Sequence, residues 1–148
     1  MSKPLIVFGA TSFVGQILCR YLHELNLQAQ GEGGSVNWLM AARSEEKLKR
    51  LQQELGGPHA PQYRLADAGN ETQLRALCDE AGVIISTVGP YALYGEPLIK
   101  ACAESGTDYC DLTGETQWIR RMIDRYESKA RDSGARIVHC CGFDSIPS

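Results

Sequence analysis

Short apolar runs alternate with amphipathic stretches along almost the whole chain. A run of apolar β-formers at 5–9 gives way to a stretch where Val14, Ile17, Leu18, Tyr21, Leu22 and Leu25 recur at helical spacing, one apolar face on a helix. After a polar, Gly-rich loop at 28–36, a second strand is expected at 36–42. Ser44 is placed to cap a helix carrying Leu48, Leu51 and Leu55 on one side. A short third strand at 62–66 leads to Asn70 and Gln73, a capping pair for a helix with Leu74 and Leu77. Residues 83–88 are the most continuous apolar strand, as expected where both faces of a sheet are covered. Pro97 suits the first turn of a following helix that ends near Ser105. A fifth strand is expected at 109–112 and a sixth at 136–140. Between them lies a long helix at 116–133 with Trp118, Ile119, Met122, Ile123 and Tyr126.

Six strands separated by helices predict an α/β fold, a doubly wound and mainly parallel sheet. At 148 residues the chain makes one domain. The closing stretch 142-GFDSIPS-148 brings no further helix or strand to complete a unit. The expectation is therefore a piece cut just beyond a nucleotide-binding domain, ahead of a second domain.

The 15 basic and 18 acidic residues leave a net charge of −3, which gives no reason to expect nucleic acid or an anionic membrane as partner. No apolar run could span a bilayer, and the chain reaches a strand without a signal-peptide core, so the default location is cytoplasmic. The six cysteines, at 19, 78, 102, 110, 140 and 141, include no C-x-x-C pair. Cys140 and Cys141 beside His139 look metal-like, but neighbours on a strand point to opposite faces and cannot readily clamp one ion. Reduced, mostly buried thiols and no metal are expected.

The first strand runs into 9-GATSFVG-15, spaced G-x-x-S-x-x-G. Gly9 permits a tight turn out of the strand, and Gly15, without a Cβ, permits close helix–strand packing. Backbone N–H groups from Thr11 to Val14 and the positive end of the helix make a ready anion site. Ser12 replaces the usual middle glycine and can donate to a phosphate oxygen. In this strand–turn–helix context the motif reads as a dinucleotide site in a Rossmann fold, with Gly9, Thr11, Ser12, Phe13, Val14 and Gly15 as its residues.

At the end of the second strand NAD-preferring domains place an acid for the ribose 2′-hydroxyl. Here stand Arg43 and Ser44, with Lys47 a turn later. A guanidinium fork with a hydroxyl suits a 2′-phosphate, so NADP is expected over NAD. Asp67, after the third strand, either accepts from the adenine amino group or stabilises its own loop. In 86-STVGPYALYGEP-97, Val88, Gly89, Pro90 and Tyr91 are expected near the nicotinamide ring. Gly89 and Pro90 would fix a sharp bend, and Tyr91 and Tyr94 would either stack on the ring, line a substrate pocket or sit half-buried.

The segments GATSFVG, AARSEEKL, STVGPYALYGEPLIKAC, YCDLTGE and CGFDSIPS resemble, in order, the saccharopine dehydrogenase-like oxidoreductases, a group that includes the trans-acting enoyl reductases. The resemblance spans the chain. It implies an N-terminal Rossmann domain, nicotinamide-dependent redox chemistry on a metabolite or lipid-like substrate, and a substrate and dimerisation domain beyond this chain. Ser12 departs from the family's turn, which commonly reads GATGFTG.

No catalytic residue is assigned. A Tyr-x-x-x-Lys pair is absent, since Tyr126 precedes Lys129 by one residue too few. Asp111, Glu115 and Asp144 end strands on the cofactor edge and would position substrate or nicotinamide, or else cap helices or satisfy loop amides; for Glu115 the cap of the long helix is preferred. His139 reads as a strand residue. The chain alone is expected to be inactive and to expose apolar surface where the second domain would dock. A cofactor-retaining or sensing module without turnover is the alternative function, and an epimerase relative is disfavoured by the absent Tyr-x-x-x-Lys pair.

Overall fold

A computed structural model of the chain describes residues 3–29 and 35–141. The described elements run β1 (Leu5–Phe8), α1 (Phe13–Ala29), β2 (Trp38–Ala42), α2 (Glu45–Leu55), β3 (Tyr63–Leu65), α3 (Glu71–Glu80) and β4 (Val83–Ser86). There follow α4 (Tyr91–Tyr94), α5 (Glu96–Ser105), β5 (Asp108–Asp111), α6 (Thr116–Ser133) and β6 (Ile137–Val138). All strand pairs are parallel, in the order β3-β2-β1-β4-β5-β6. The chain thus starts in mid-sheet, winds out to β3, crosses back and winds out to β6. The crevice between the carboxyl ends of β1 and β4 is the switch point where such sheets bind ligands.

The expected strands are all present; β5 has its expected length but starts one residue earlier, at Asp108, and the others are shorter. Gly9 belongs to the turn after β1, and β4 stops at Ser86, because Thr87 and the residues after it form the lip of that crevice. β6 ends at Val138 rather than Cys140, since Cys140 adopts a positive φ of 63° and its N–H turns to the Asp111 carboxylate. The reading of His139, Cys140 and Cys141 as alternating strand residues therefore fails: they curl over the end of β5. Cys19, Cys78 and Cys102 are buried, Cys110 is half-buried, and Cys140 and Cys141 are exposed; all six are free thiols.

Ser44 and Asn70 cap α2 and α3 as the sequence predicts, accepting the N–H groups of Lys47 and Gln73. Two cores flank the sheet. One packs α1 and α2 on Val7, Met40 and Ala42; the other packs α3, α5 and α6 on Ile6, Leu39, Ile84 and Tyr109. The apolar face expected on α1 is buried only in part: Leu22 is in the core, with Leu18 and Leu25 half-buried against it. Gly15, Cys19, Leu22 and His23 turn inward, while Val14, Ile17 and Tyr21 are exposed. No helix among the described residues is long and apolar enough to cross a membrane.

Two carboxylates, Glu96 and Glu104, tie α5 to its neighbours, and a third, Asp108, ties β5 to Arg136 ahead of β6. Glu96 accepts from the Tyr126 hydroxyl at 2.6 Å and takes both contacts of Arg125 at 2.8 and 2.9 Å. The Tyr126 hydrogen bond, then Arg125, holds Glu96 below its ordinary value of 4.5; Lys129 does the same for Glu104 and Arg136 for Asp108. Because the unfolded chain binds protons on these groups more readily, their contribution is present above about pH 4.5 and is lost as the pH falls through the lowered values. Thermal unfolding followed from neutral into acid pH should show this decline, and Glu96→Gln should flatten part of it.

Candidate functional site

The turn after β1 is built by backbone contact. Gly9 takes a φ of 84°, and a Cβ there would lie 2.6 Å from Thr87 Oγ1. A Cβ on Gly15 would lie 2.1 Å from the Gly9 carbonyl oxygen, so α1 seats directly on the turn. Ser12 caps α1: its Oγ accepts the Gly15 N–H at 3.0 Å. The same Oγ stands 3.2 Å from Thr87 Oγ1, whose own proton goes to the carbonyls of Phe8 or Gly9 at 2.9 and 3.0 Å. Ser12 is then the donor of that pair, and its hydroxyl is engaged on both sides within the protein. By position, the N–H groups of Phe13 and Val14 lack intrahelical acceptors, and the positive end of the helix stands at the turn.

A groove of about 360 Å³ crosses the carboxyl ends of the inner strands. Gly9, Thr11 and Ser12 enter it after β1; Arg43, Ser44 and Lys47 after β2; Asp67 after β3; Val88 and Gly89 after β4. Thr87 and Tyr94 also line it. Thr87 was legible only as a polar residue ending an apolar strand, with nothing to mark the bridge it makes. The Arg43 guanidinium is exposed and has no hydrogen bond or ion pair among the described residues, and no acid stands at the end of β2 to occupy it. Asp67 Oδ1 accepts the Gly69 N–H at 2.8 Å, so this carboxylate shapes its loop while lining the groove.

Five expected residues do not line the groove. Phe13 is 80% exposed and Val14 43%, both on the outer surface of α1, while Gly15 is buried at its contact with Gly9. Pro90, reached through a cis Gly89–Pro90 peptide, is exposed at the start of α4. Tyr91 is buried: its hydroxyl donates to the Ser86 carbonyl at 2.9 Å and accepts the Leu112 N–H at 3.3 Å. Its ring lies 5.5 Å from that of Trp118. Burial pushes the Tyr91 phenol up to about 12, so it keeps its proton at ordinary pH.

Two acids hold this corner together. Glu115 sits at the start of α6 but makes no side-chain cap there; its carboxylate takes the N–H groups of Tyr91 and Ala92 at 2.7 and 2.9 Å, capping α4 instead. Asp111, fully buried, accepts from the Tyr109 hydroxyl at 2.7 Å and from the N–H groups of Thr113 and Cys140, both at 3.2 Å. His139 Nδ1 lies 2.8 Å from its Oδ2. Both acids serve the internal frame. Asp144 lies outside the described residues, and the Tyr126 hydroxyl is given to Glu96.

The family model described as the saccharopine dehydrogenase NADP binding domain matches residues 5–138, nearly the whole described chain. The chain belongs to this family. Its cofactor is accordingly NADP. The trans-acting enoyl reductase of Mycobacterium tuberculosis is 43% identical over 146 residues, covering 97% of this chain and 33% of that protein. The chain thus spans about a third of the length of the curated relatives it matches. Among solved structures, apo saccharopine dehydrogenase (L-Glu forming) from Saccharomyces cerevisiae aligns with a TM-score of 0.73 at 17% identity, over 97% of this chain and 28% of that one. The NADP(H) complex of Citrobacter sp. triphenylmethane reductase aligns at 0.62 and 16% identity, over 92% of this chain and 48% of that one. At these identities the structures show a common fold.

Two features of the saccharopine dehydrogenase-like turn and loop are testable through stability. Ser12→Ala removes the α1 cap and should lower the unfolding free energy by about 1 kcal/mol in a denaturant titration. Gly95 lies against Trp118, where a Cβ would approach Cζ2 to 2.6 Å. Gly95→Ala should therefore cost roughly 1–3 kcal/mol in the same measurement.

Proposed function

We propose that this chain is the cofactor half of an oxidoreductase and that its groove binds NADP(H) with the 2′-phosphate on Arg43. The observation that carries the reading is the guanidinium at the lip of the groove, which no acid pairs among the described residues, with Ser44 and Lys47 beside it. The pyrophosphate would lie on the 9–15 turn, where glycine keeps side chains away from the backbone and the first N–H groups of α1 are open. Asp67 would face the adenosine. The residues Thr87, Val88, Gly89 and Tyr94 would flank the nicotinamide. Bound there, the cofactor supplies a hydride. The tied loops at Ser12 and Thr87 hold the ring's surroundings in place.

The named activity of the mycobacterial relative makes an enoyl group, on a lipid-like chain, the favoured hydride acceptor for the full-length protein. Reduction of such a double bond adds hydride to one carbon and a proton to its neighbour. Asp111 and Glu115 are committed to the frame, so in this reading the proton comes from the remainder of the protein or from water. That same commitment favours, as a second reading, a module that retains or senses NADP(H) without turnover. Steady-state oxidation of NADPH by the full-length protein with enoyl thioesters separates the two.

The cofactor assignment is tested by fluorescence titration with NADPH and NADH. NADPH should bind more tightly, and Arg43→Ala should weaken NADPH about 10- to 150-fold while leaving NADH nearly unchanged. Equal affinity for the two cofactors in the unsubstituted protein would overturn the role of Arg43.

A further inference from the structure

Two thiols meet where β5 and β6 end. Cys110 is the register partner of Val138 across the two strands. Just past β6 the chain turns back. Cys140 takes a φ of 63°, a left-handed conformation that a residue with a Cβ keeps only where its surroundings hold it. Asp111 does the holding: its carboxylate accepts the Cys140 N–H at 3.2 Å, and its carbonyl accepts the Cys141 N–H at 2.7 Å. The turn swings the Cys141 thiol back over the end of β6, where its Sγ lies 3.8 Å from the Val138 carbonyl oxygen. There it comes within hydrogen-bonding reach of the Cys110 thiol.

Both members of this pair are anchored. Cys110 is held in the sheet between Ile85 of β4 and Val138 of β6. Cys141 hangs from Asp111, the residue that follows Cys110. The sulfurs are therefore kept together without a bond between them, which gives any reaction joining them the advantage of an intramolecular step. Their access to solvent differs, since Cys141 is exposed and Cys110 half-buried. Burial, then the neighbouring Cys141, pushes the Cys110 thiol up to about 11, so it keeps its proton at neutral pH. A dissolved oxidant thus meets Cys141 first.

The second close pair of thiols lacks that access. Cys78 and Cys102 stand 3.7 Å apart between α3 and α5, but they are 1% and 0% exposed, closed to a dissolved oxidant while the domain is folded. What an added bond would hold also differs. The helices α3 and α5 already share a core, whereas β6 meets β5 over two register pairs alone, Tyr109 with Ile137 and Cys110 with Val138.

We propose that Cys110 and Cys141 are an oxidisable dithiol, a modification site at which hydrogen peroxide closes a disulfide. The Cys141 sulfur attacks the O–O bond and takes one oxygen as a sulfenic acid, and the other oxygen leaves as water. The Cys110 sulfur then attacks the Cys141 sulfur. The S–S bond forms, and the sulfenic hydroxyl departs as water with the Cys110 proton. The peroxide is reduced to two waters and the two thiols are oxidised to one disulfide. That bond staples the exit of β6 to β5 beside Asp111, and a thiol reductant opens it again by exchange.

Full-length protein treated with hydrogen peroxide, blocked with N-ethylmaleimide and digested without reduction tests this by peptide mapping. The expected product joins the Cys110 and Cys141 peptides within one polypeptide, with fragment spectra placing the bond on those two residues, and dithiothreitol abolishes it. Cys140→Ser should keep the product. Cys110→Ser should lose it and leave Cys141 as a sulfenic acid that dimedone traps. A bond to Cys140, a bond between two polypeptides or no bond at all would overturn the proposal. A second reading needs no variant: brief alkylation of the untreated full-length protein with iodoacetamide should label Cys141 well ahead of Cys78 and Cys102. Cys141 labelled no faster than those two would also overturn it.

Discussion

The contact between Gly15 and the Gly9 carbonyl is the constraint on which the rest of the groove side depends. It brings α1 down onto the end of β1 until backbone meets backbone. It also fixes the helix's rotation, because the one position without a side chain must face the strand. Once Gly15 points inward, Cys19, Leu22 and His23 follow it by helical repeat. The larger apolar side chains at 14, 17 and 21 are thereby turned aside. Bulk hydrophobicity alone would have chosen a different face.

A second knot forms around Tyr91 and Trp118. Glu115 reaches from the start of α6 to cap α4, the Tyr91 hydroxyl joins Ser86 to Leu112, and Gly95 lets the Trp118 ring close over the loop. Asp111 gathers Tyr109, His139 and two N–H groups beside it. The conspicuous motif GPYALYGEP is thus mostly a framework motif. Its contribution to the groove comes through Gly89 and Tyr94, while its buried tyrosine serves packing and hydrogen bonding.

The order of elements and the doubly wound sheet were legible because period and punctuation agreed: Ser44 and Asn70 cap where expected, and Gly9 breaks β1 where the turn needs it. The groove residues after the inner strands were legible for the same reason, since topology alone brings strand ends together. What could not be read was the direction of individual side chains. Tyr91 and Tyr94 are three residues apart in one short helix, yet one is buried and the other lines the groove. Glu115 has the right position to cap its own helix and caps another across space. Thr87 bridges to residues about 80 positions earlier, beyond any local pattern, at sequence separations of 75 to 79.

That bridge bears on motion. Thr87 Oγ1 donates to the carbonyl of Phe8 or Gly9 and accepts from the Ser12 hydroxyl, so the loops on either side of the crevice share hydrogen bonds and behave as one body. Prising them apart would break the Ser12–Thr87 hydrogen bond and take the Thr87 hydroxyl away from the carbonyl it serves. The two banks of the crevice form a fixed anvil, and any closing stroke has to be delivered by a part that moves against it.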